Sequence, residues 1–486
     1  MKINSKPFGK RVVLTTLIAL STPVSAMDKP KTMEDMWKII QAQQKQIDEM
    51  KANIGAVSSK AATGNIRNSE NKTAATNVQN PEDKVAASNV KTLERKTNIL
   101  SQEVEKLRTN LAIPEEKQLK SAYGMGPAAS KVYQVGKGLS IGGYGEAIYQ
   151  NFVGDKGDAK NNADLERAVL YFGYKFTDRI LFNSEIEYEH ATTGEGDEEK
   201  GEVSVEFASL DFFFDPMVNA RAGLVLMPMG FINRIHEPLF FFGNHRPVVE
   251  QLIIPTTWRE MGVGIFGAIT PELTYTAYVV NGLDAKGFSS EGIREGRGGG
   301  SQALANNLGY VAQINYQPAT LPGVTVGGSG YVGNSGQDLE YAGQKPNVFT
   351  QLYEAHVQWK YRGLEFRTLG SWGHINNAGI LSAAKGQTIG SQNYGWYSEL
   401  GYDVLPLIFK DTPQYLAPFF RYEKYNTIAS APDGFAGNPH LNQHIFQVGL
   451  QYKPIPQIVI KADYRNFNAA EGSVPDDFNL GFGYIF

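Results

Sequence analysis

The sequence contains no cysteine among its 486 residues. This absence excludes a disulfide framework and a thiolate metal site. No internal apolar run reaches the roughly 18 residues that a membrane-spanning helix needs. A dominant charge is also lacking, because 46 Lys and Arg residues stand against 50 Asp and Glu residues, for a formal net charge of −4. Such a balance argues against general nucleic-acid binding.

Glycine and tyrosine, in contrast, are abundant. The 51 glycines and 24 tyrosines suit a turn-rich, aromatic-girdled β protein better than a helical enzyme. The mean hydropathy of −0.30 is low for a membrane protein. It is nevertheless compatible with a membrane β-barrel, because only alternate strand residues touch lipid and the loops are polar.

The last ten residues, DFNLGFGYIF, carry the clearest pattern. Large apolar side chains alternate with small or polar ones up to the terminal Phe486. This alternation predicts an extended strand with one apolar face. Because the same alternation recurs many times upstream, the stretch is interpreted as the closing strand of a transmembrane barrel whose apolar side faces lipid.

From residue 139 onward, period-two alternation between turn signals predicts about sixteen strands, the first near 138–150 and the last at 476–486. Tight connections such as 177–179 and 362–363 alternate with long polar ones. This asymmetry is typical of an outer-membrane barrel. The predicted fold is an all-β transmembrane barrel of about sixteen antiparallel strands over 138–486, with an N-terminal helical or coiled-coil extension.

The region before the barrel divides by composition. Residues 1–26 have the basic, apolar and small-residue regions of a secretory signal peptide. Heptad seams predict coiled-coil segments in two stretches, for which single amphipathic helices are the alternative. The linkers between these elements are polar or rich in small residues. The predicted divisions are a signal peptide 1–26, coiled coils 27–57 and 90–112, and linkers 58–89 and 113–137.

Charged residues set the phase of each strand, since Lys or Arg at the lipid midplane costs about 2–4 kcal/mol. A lumen that carries both signs of charge is predicted to be water-filled. One strand breaks the alternation, because Glu206 and Asp211 have opposite parity; either a bulge lies between them or one of them sits at the interface. The residues predicted to line the lumen are Arg167, Arg221, Glu354, Lys360, Arg367, Arg421, Lys461 and Arg465.

The stretch 228–258 has no clear period and is apolar for a surface loop, although it also carries charges. A loop this apolar prefers burial, and the barrel interior is the nearest place. It is therefore predicted to be a constriction element in which Arg234, Arg246 and Glu250 set charge selectivity. The alternative is an external loop whose phenylalanines pack between neighbouring loops or subunits.

Four features together resemble the phosphate-selective porin O and P superfamily. They are GLSIGGYGEAIYQNF, the pair RAVLYFGYKF and NSEIEYEH, the segment RAGLVLMPMGF, and the terminal Phe. The resemblance implies a porin in the lipid of a Gram-negative outer membrane, with its N-terminal helices in the periplasm. The aromatic C-terminus is similar to the signal that the barrel-assembly machinery reads, which implies that role for Phe486. A homotrimer would suit such a porin.

The short motifs that could indicate an enzyme lack the flanking helix pattern that each of them would need. The glycines at 262, 264 and 267 spell GxGxxG, but no helix pattern follows. His236-Glu237 is followed by Pro238, which would break the helix of a zinc-protease motif. No catalytic residue, cofactor or metal is therefore predicted. The predicted function is passive diffusion of small hydrophilic solutes or ions, with a barrel-anchored adhesin or envelope tether as the alternative and an outer-membrane hydrolase as a weaker third.

Overall fold

The computed structural model of the chain describes residues 119–193, 201–410 and 412–486. The predicted signal peptide 1–26, the predicted coiled coils 27–57 and 90–112 and the linker 58–89 lie outside these described residues.

Sixteen antiparallel strands form one closed barrel, in which every strand pairs with its neighbour in sequence and β1 pairs with β16. At the seam the backbone N–H of Phe486 donates to the carbonyl oxygen of Gly143 at 2.9 Å, so the terminal residue takes part in closure. The predicted fold class is confirmed. The strands are β1 Gly138–Val153, β2 Asn162–Thr177, β3 Ile180–Glu189, β4 Val203–Asp215, β5 Val218–Leu226, β6 Arg259–Thr270, β7 Leu273–Asn281, β8 Leu308–Tyr316, β9 Val324–Asn334, β10 Phe349–Tyr361, β11 Leu364–Ile375, β12 Gln392–Tyr402, β13 Tyr415–Ser430, β14 Asn442–Ile455, β15 Ile458–Ala469 and β16 Asp476–Ile485.

The connections differ strongly between the two ends of the barrel. At one end, strand pairs such as β2–β3, β10–β11 and β14–β15 are joined by two-residue turns. At the other end lie the long connections, including 227–258, 282–307 and 376–391, the last of which contains the helix Ala378–Lys385. The short-turn end also has longer connections: residues 317–323 join β8 to β9, and the connection between β12 and β13 contains a helix at Leu405–Ile408.

The outer face of the barrel is apolar. Val263, Val448 and Phe482 are each about half exposed, at 54%, 50% and 51%, and many aromatic and aliphatic neighbours on the same face are similarly exposed. An apolar surface of this extent is far larger than a monomeric soluble protein tolerates. Within the described residues, the helices are all too short or too polar to pass through a bilayer.

Strand β4 contains a β-bulge, which is one of the two explanations given above for the opposite parity of Glu206 and Asp211. The register between β3 and β4 shifts so that Glu185 faces Phe207 while Ile186 faces Val205, which leaves Glu206 as the extra residue of a β-bulge. Both Glu206 and Asp211 are consequently buried on the inner side of the barrel. A bulge reverses the alternation of the strand beyond it, so residues of opposite parity can point to the same side.

The described part of the predicted linker 113–137 is not a free linker. Residues 125–130 are buried, and a short helix follows at Lys131–Gln134. The Asn183 amide donates to the carbonyl oxygen of Ala129 at 2.9 Å, and the Tyr133 hydroxyl donates to Asp211 at 2.8 Å. This amino-terminal segment, residues 119–137, therefore packs against the inner wall near the short-turn end. Its small residues permit close contact with the wall, although their composition resembles that of a linker.

If the outer face meets lipid, the free-energy cost of placing a charged side chain on it should depend on the depth of that side chain in the membrane. Val448→Arg places a cation on the outer face at the middle of β14 and is expected to cost about 2–4 kcal/mol, because the side chain enters hydrocarbon. Ile458→Arg, at the first residue of β15, is expected to cost only about 0–1 kcal/mol. Unfolding by guanidinium from lipid vesicles, followed by tryptophan fluorescence, measures both. Equal costs for the two variants would contradict a lipid-facing outer surface.

Candidate functional site inside the barrel

The connection between β5 and β6, residues 227–258, lies inside the barrel; we call it the inserted loop. It contains a 3-10 turn at Pro238–Phe240 and a π-helical turn at Val249–Ile253. The apolar side chains that made the segment unusual in the sequence are buried: Met227, Met229, Ile232, Leu239, Phe241, Phe242 and Trp258.

Three cations on the wall hold the middle of the inserted loop through its backbone, and one of them, Arg367 on β11, donates to the carbonyl oxygen of Phe240. Arg421 on β13 donates to the carbonyl oxygens of Phe242 at 2.6 Å and His245 at 3.2 Å. Lys461 on β15 donates to the carbonyl oxygen of Gly243 at 2.8 Å. Since carbonyl oxygens in an irregular loop have no strand partners, these charged donors satisfy groups that would otherwise be buried unpaired.

Glu250 anchors the next part of the loop. Its carboxylate accepts hydrogen bonds from the backbone N–H groups of Phe231 and Ile232, both at 2.9 Å, and from the Tyr397 hydroxyl at 2.6 Å. Burial raises the pKa of Glu250 to about 7, against the lowering effect of the hydrogen bonds from Tyr397 and Ile232. The residue is fully buried, so it positions the loop and does not present a selective charge.

Glycines on the inner face of β12 make room for the loop. A side chain at Gly395 would place its Cβ 2.9 Å from Val249, and one at Gly401 would meet the Phe242 ring. Close approach of this kind is one of the few physical reasons for glycine in a strand interior. The wall and the loop are therefore complementary in shape as well as in hydrogen bonding.

Most of the wall residues predicted to line a water-filled lumen are instead covered and ion-paired. Arg167, Arg221, Arg367, Arg421 and Arg465 are each less than a tenth exposed. Their partners lie mainly on the adjacent strands: Arg167 with Glu146 at 2.9 Å, Arg221 with Asp211 at 2.6 Å, Arg367 with Glu399 at 3.3 Å, Arg421 with Glu399 at 2.8 Å and Arg465 with Asp477 at 2.5 Å. The prediction of an open wet lumen is corrected, because opposite charges on neighbouring strands compensate one another under the inserted segments.

The remaining predicted wall residues are also partnered. Glu354 accepts from the Ser329 hydroxyl at 2.6 Å and contacts His356 at 2.8 Å. Lys360 lies nearer the short-turn end, where it pairs with Glu365 at 3.3 Å. Glu354 and Lys360 both lie on β10, across the barrel from Arg167 on β2.

The loop arginines differ from those of the wall, since Arg234 and Arg246 form no ion pair within the described residues. Arg234 is half-buried and donates to neutral groups only, Thr276 at 3.2 Å and Gln313. Arg246 has two buried nitrogens, Nε and Nη2, that lack a hydrogen-bond partner among the described residues. It lines a cavity of about 100 Å³ together with Arg167 and with the carboxylates of Glu146, Glu166 and Glu189.

Further cations that sequence reasoning missed lie toward the long-loop end. Arg294 and Arg297, from the connection 282–307, line a second cavity of about 170 Å³ with Arg259. Burial and the neighbouring Arg297 lower the pKa of Arg294 to about 10, so it stays a cation at neutral pH. The only sequence signal for this inward packing is the pair of apolar residues Phe288 and Ile293, which are buried in the same connection.

Comparison with known proteins supplies one relative and a set of similar folds. No family model matches the chain. An uncharacterized protein of Aquifex aeolicus (strain VF5) is 39% identical over 376 residues, which covers 75% of this chain and 83% of that protein. Salmonella typhi OmpF, in complex with daunomycin, superimposes with a TM-score of 0.50 at 14% identity over 72% of this chain and 98% of its own. The outer membrane channel DcaP of Acinetobacter baumannii gives 0.46 at 14% identity, over 72% and 97%. The similarity to OmpF is evidence for the fold alone.

Arg421 provides a test of how the loop is held. Arg421→Met removes the donors to two loop carbonyls, whereas Arg465→Met removes a wall ion pair that makes no hydrogen bond to the loop. Each variant is expected to lose about 3 kcal/mol or more, because a buried carboxylate loses a partner. Only Arg421→Met is expected to speed hydrogen–deuterium exchange at the amides of residues 240–250. Equal exchange in the two variants would contradict anchoring by Arg421.

Proposed function

This chain belongs to the same protein family as the Aquifex aeolicus protein, and we propose that it is an outer-membrane porin through which small hydrophilic solutes or ions diffuse passively. The observation that carries the proposal is the combination of a closed barrel with an apolar outer face and a charged interior crossed by the inserted loop. An apolar outer face around a charged interior is the reverse of what a water-soluble domain has, whereas a membrane channel requires this arrangement. The superfamily resemblance stays a prediction.

The proposed passage is narrow. The inserted loop and the amino-terminal segment meet inside the barrel, where the backbone N–H of Ala128 donates to Glu237 at 3.0 Å. Together they fill space that a barrel of this strand number would otherwise leave open. We therefore expect a low single-channel conductance for the barrel size.

The proposed passage prefers anions. Wall arginines are compensated by carboxylates on neighbouring strands, so they contribute little net field. Arg234 and Arg246 are not paired among the described residues and leave positive charge on the inserted loop. Rings or clusters of Arg and Lys favour anions in pores.

Three further parts of the proposal rest on the sequence. Phe486 is proposed as the assembly signal, and this aromatic residue is half exposed beside the β1–β16 seam. The heptad segments favour self-association, and a homotrimer is the proposed state. The N-terminal helical region is proposed to lie in the periplasm.

Planar-bilayer recording of the detergent-purified protein tests the central proposal. Discrete, ohmic current steps are expected in potassium chloride, and their size should be small for a barrel of sixteen strands. Absence of current from correctly folded protein would remove the porin proposal and favour a barrel that serves as an anchor.

The selectivity of the passage provides a separate prediction. Arg234→Glu is expected to shift the reversal potential in a salt gradient toward cation preference. A change of two charges about 8 Å from a permeating ion is worth about 1 kcal/mol in water, or roughly fivefold in the permeability ratio. Arg179→Glu is the matched control, because it makes the same charge change at an exposed turn outside the barrel interior. An unchanged reversal potential in Arg234→Glu would mean that Arg234 does not face the passage.

A further inference from the structure

A histidine of the inserted loop is held between two carboxylates of the barrel wall. His236 Nε2 lies 3.1 Å from Glu185 Oε1 on β3 and 3.5 Å from Glu206 Oε2 on β4. All three side chains are at most 1% exposed. The three groups can each direct one ligand atom to a common centre, because these atoms lie within 4.8 Å of one another.

The local backbone brings these groups together. The β-bulge lets the consecutive residues Glu206 and Phe207 both point to the inner side, which leaves Glu206 beside Glu185. His236 reaches the same point from the inserted loop, immediately before the turn at Pro238–Phe240. Bulges are common next to functional sites because they re-aim single side chains.

The neighbours of His236 determine what each of its two ring nitrogens can bind. Its Nδ1 lies 3.2 Å from the backbone carbonyl oxygen of Asn233, which can only accept, so Nδ1 carries the proton. Nε2 faces two carboxylates, so the contact is favourable only if Nε2 carries a second proton or a metal cation lies among the three groups. An Nδ1–H bond to a backbone carbonyl is also the usual support of a metal-bound histidine.

Unpartnered carboxylate oxygens make a single added proton a poor explanation. Glu185 Oε2 and Glu206 Oε2 are both buried and have no hydrogen-bond donor in the described residues. A proton on Nε2 could be donated to Glu185 Oε1. Glu185 Oε2 and Glu206 Oε2 would still lack a hydrogen-bond donor in the described residues. A metal ion can bind several of these oxygens together.

We propose that Glu185, Glu206 and His236 bind a divalent transition-metal ion that ties the inserted loop to the barrel wall. One imidazole and two carboxylates suit ions such as Zn²⁺, Mn²⁺ and Co²⁺. An ion that holds its ligands at about 2.0–2.2 Å separates neighbouring ligand atoms by about 2.8–3.6 Å. The two contacts of His236 Nε2 fall within this range.

The surroundings supply orientation. Glu206 Oε1 accepts from the Thr257 hydroxyl at 2.6 Å and from Arg259 at 2.7 Å, which fixes the carboxylate plane. Outer hydrogen bonds of this kind set the position of metal-binding carboxylates. Thr257 also lines both cavities at the long-loop end, so the site adjoins these cavities.

Metal binding by the detergent-purified, tag-free protein tests this proposal independently of channel activity. After removal of metal with a chelator, the wild type is expected to bind one Zn²⁺ per chain in equilibrium dialysis. Glu206→Gln and His236→Gln are expected to bind at least about tenfold more weakly. His356→Gln is the matched control: His356 is also buried beside a glutamate, but both of its ring nitrogens are already partnered within the barrel. It should bind Zn²⁺ as the wild type does.

Two outcomes would overturn the proposal: a wild type that binds no stoichiometric Zn²⁺, or equal binding by His236→Gln and the wild type. Equal loss in His356→Gln would do so as well. Heat-modifiable migration in gels verifies that each variant has folded. The wild type alone gives a second test, since bound Co²⁺ should show visible absorption bands that Zn²⁺ abolishes. The spectrum of aqueous Co²⁺ would count against the site even where the variants do not fold.

Discussion

Charge compensation inside a closed barrel is the constraint on which the rest of this structure depends. Closure pairs the strand backbones and leaves no sheet edge, so the side chains that point inward carry the remaining polarity. Arg421 shows how this is met: Glu399 on the next strand balances its charge, and the loop carbonyls of Phe242 and His245 take its other donors. Burial of such a pair is tolerated only when the remaining hydrogen bonds are made. The inserted loop is thus part of the means by which the wall is stabilised.

Features governed by local physics could be predicted from the sequence. The sixteen strands follow from period-two alternation, because a lipid-facing side chain and an inward one must succeed each other along every strand. Strand β16, Asp476–Ile485, agrees with its predicted bounds 476–486 to within one residue, because its alternation is clear. The cost of a cation in hydrocarbon likewise places Arg167, Arg367 and Lys461 on the inner face without any knowledge of their partners.

Features governed by contacts between distant parts of the chain could not be predicted. The contact between Ala128 and Glu237 joins residues 109 positions apart, and nothing in the small, linker-like residues near Ala128 indicates that they fill a barrel. Opposite parity of Glu206 and Asp211 indicates a bulge, but not that His236 meets the displaced carboxylate. The sequence also predicts Glu250 as a selective charge, although its three hydrogen bonds make it a loop anchor. In each case the partner, and not the residue itself, decides the role.

The pairing of the wall charges also determines which part of the molecule can control permeation. Where Arg167, Arg221 and Arg465 are each balanced by a carboxylate, their fields cancel within a few ångströms, and screening by salt weakens what remains. Arg234 and Arg246, which have no ion-pair partner in the described residues, are carried by the inserted loop, so in the proposed porin the position of one segment governs both the width of the passage and the sign of its field. A loop with that double role must be held rigidly, since a displacement would change both together. The anchors on β12, β13 and β15, and the proposed metal bridge to β3 and β4, hold it from opposite sides of the barrel.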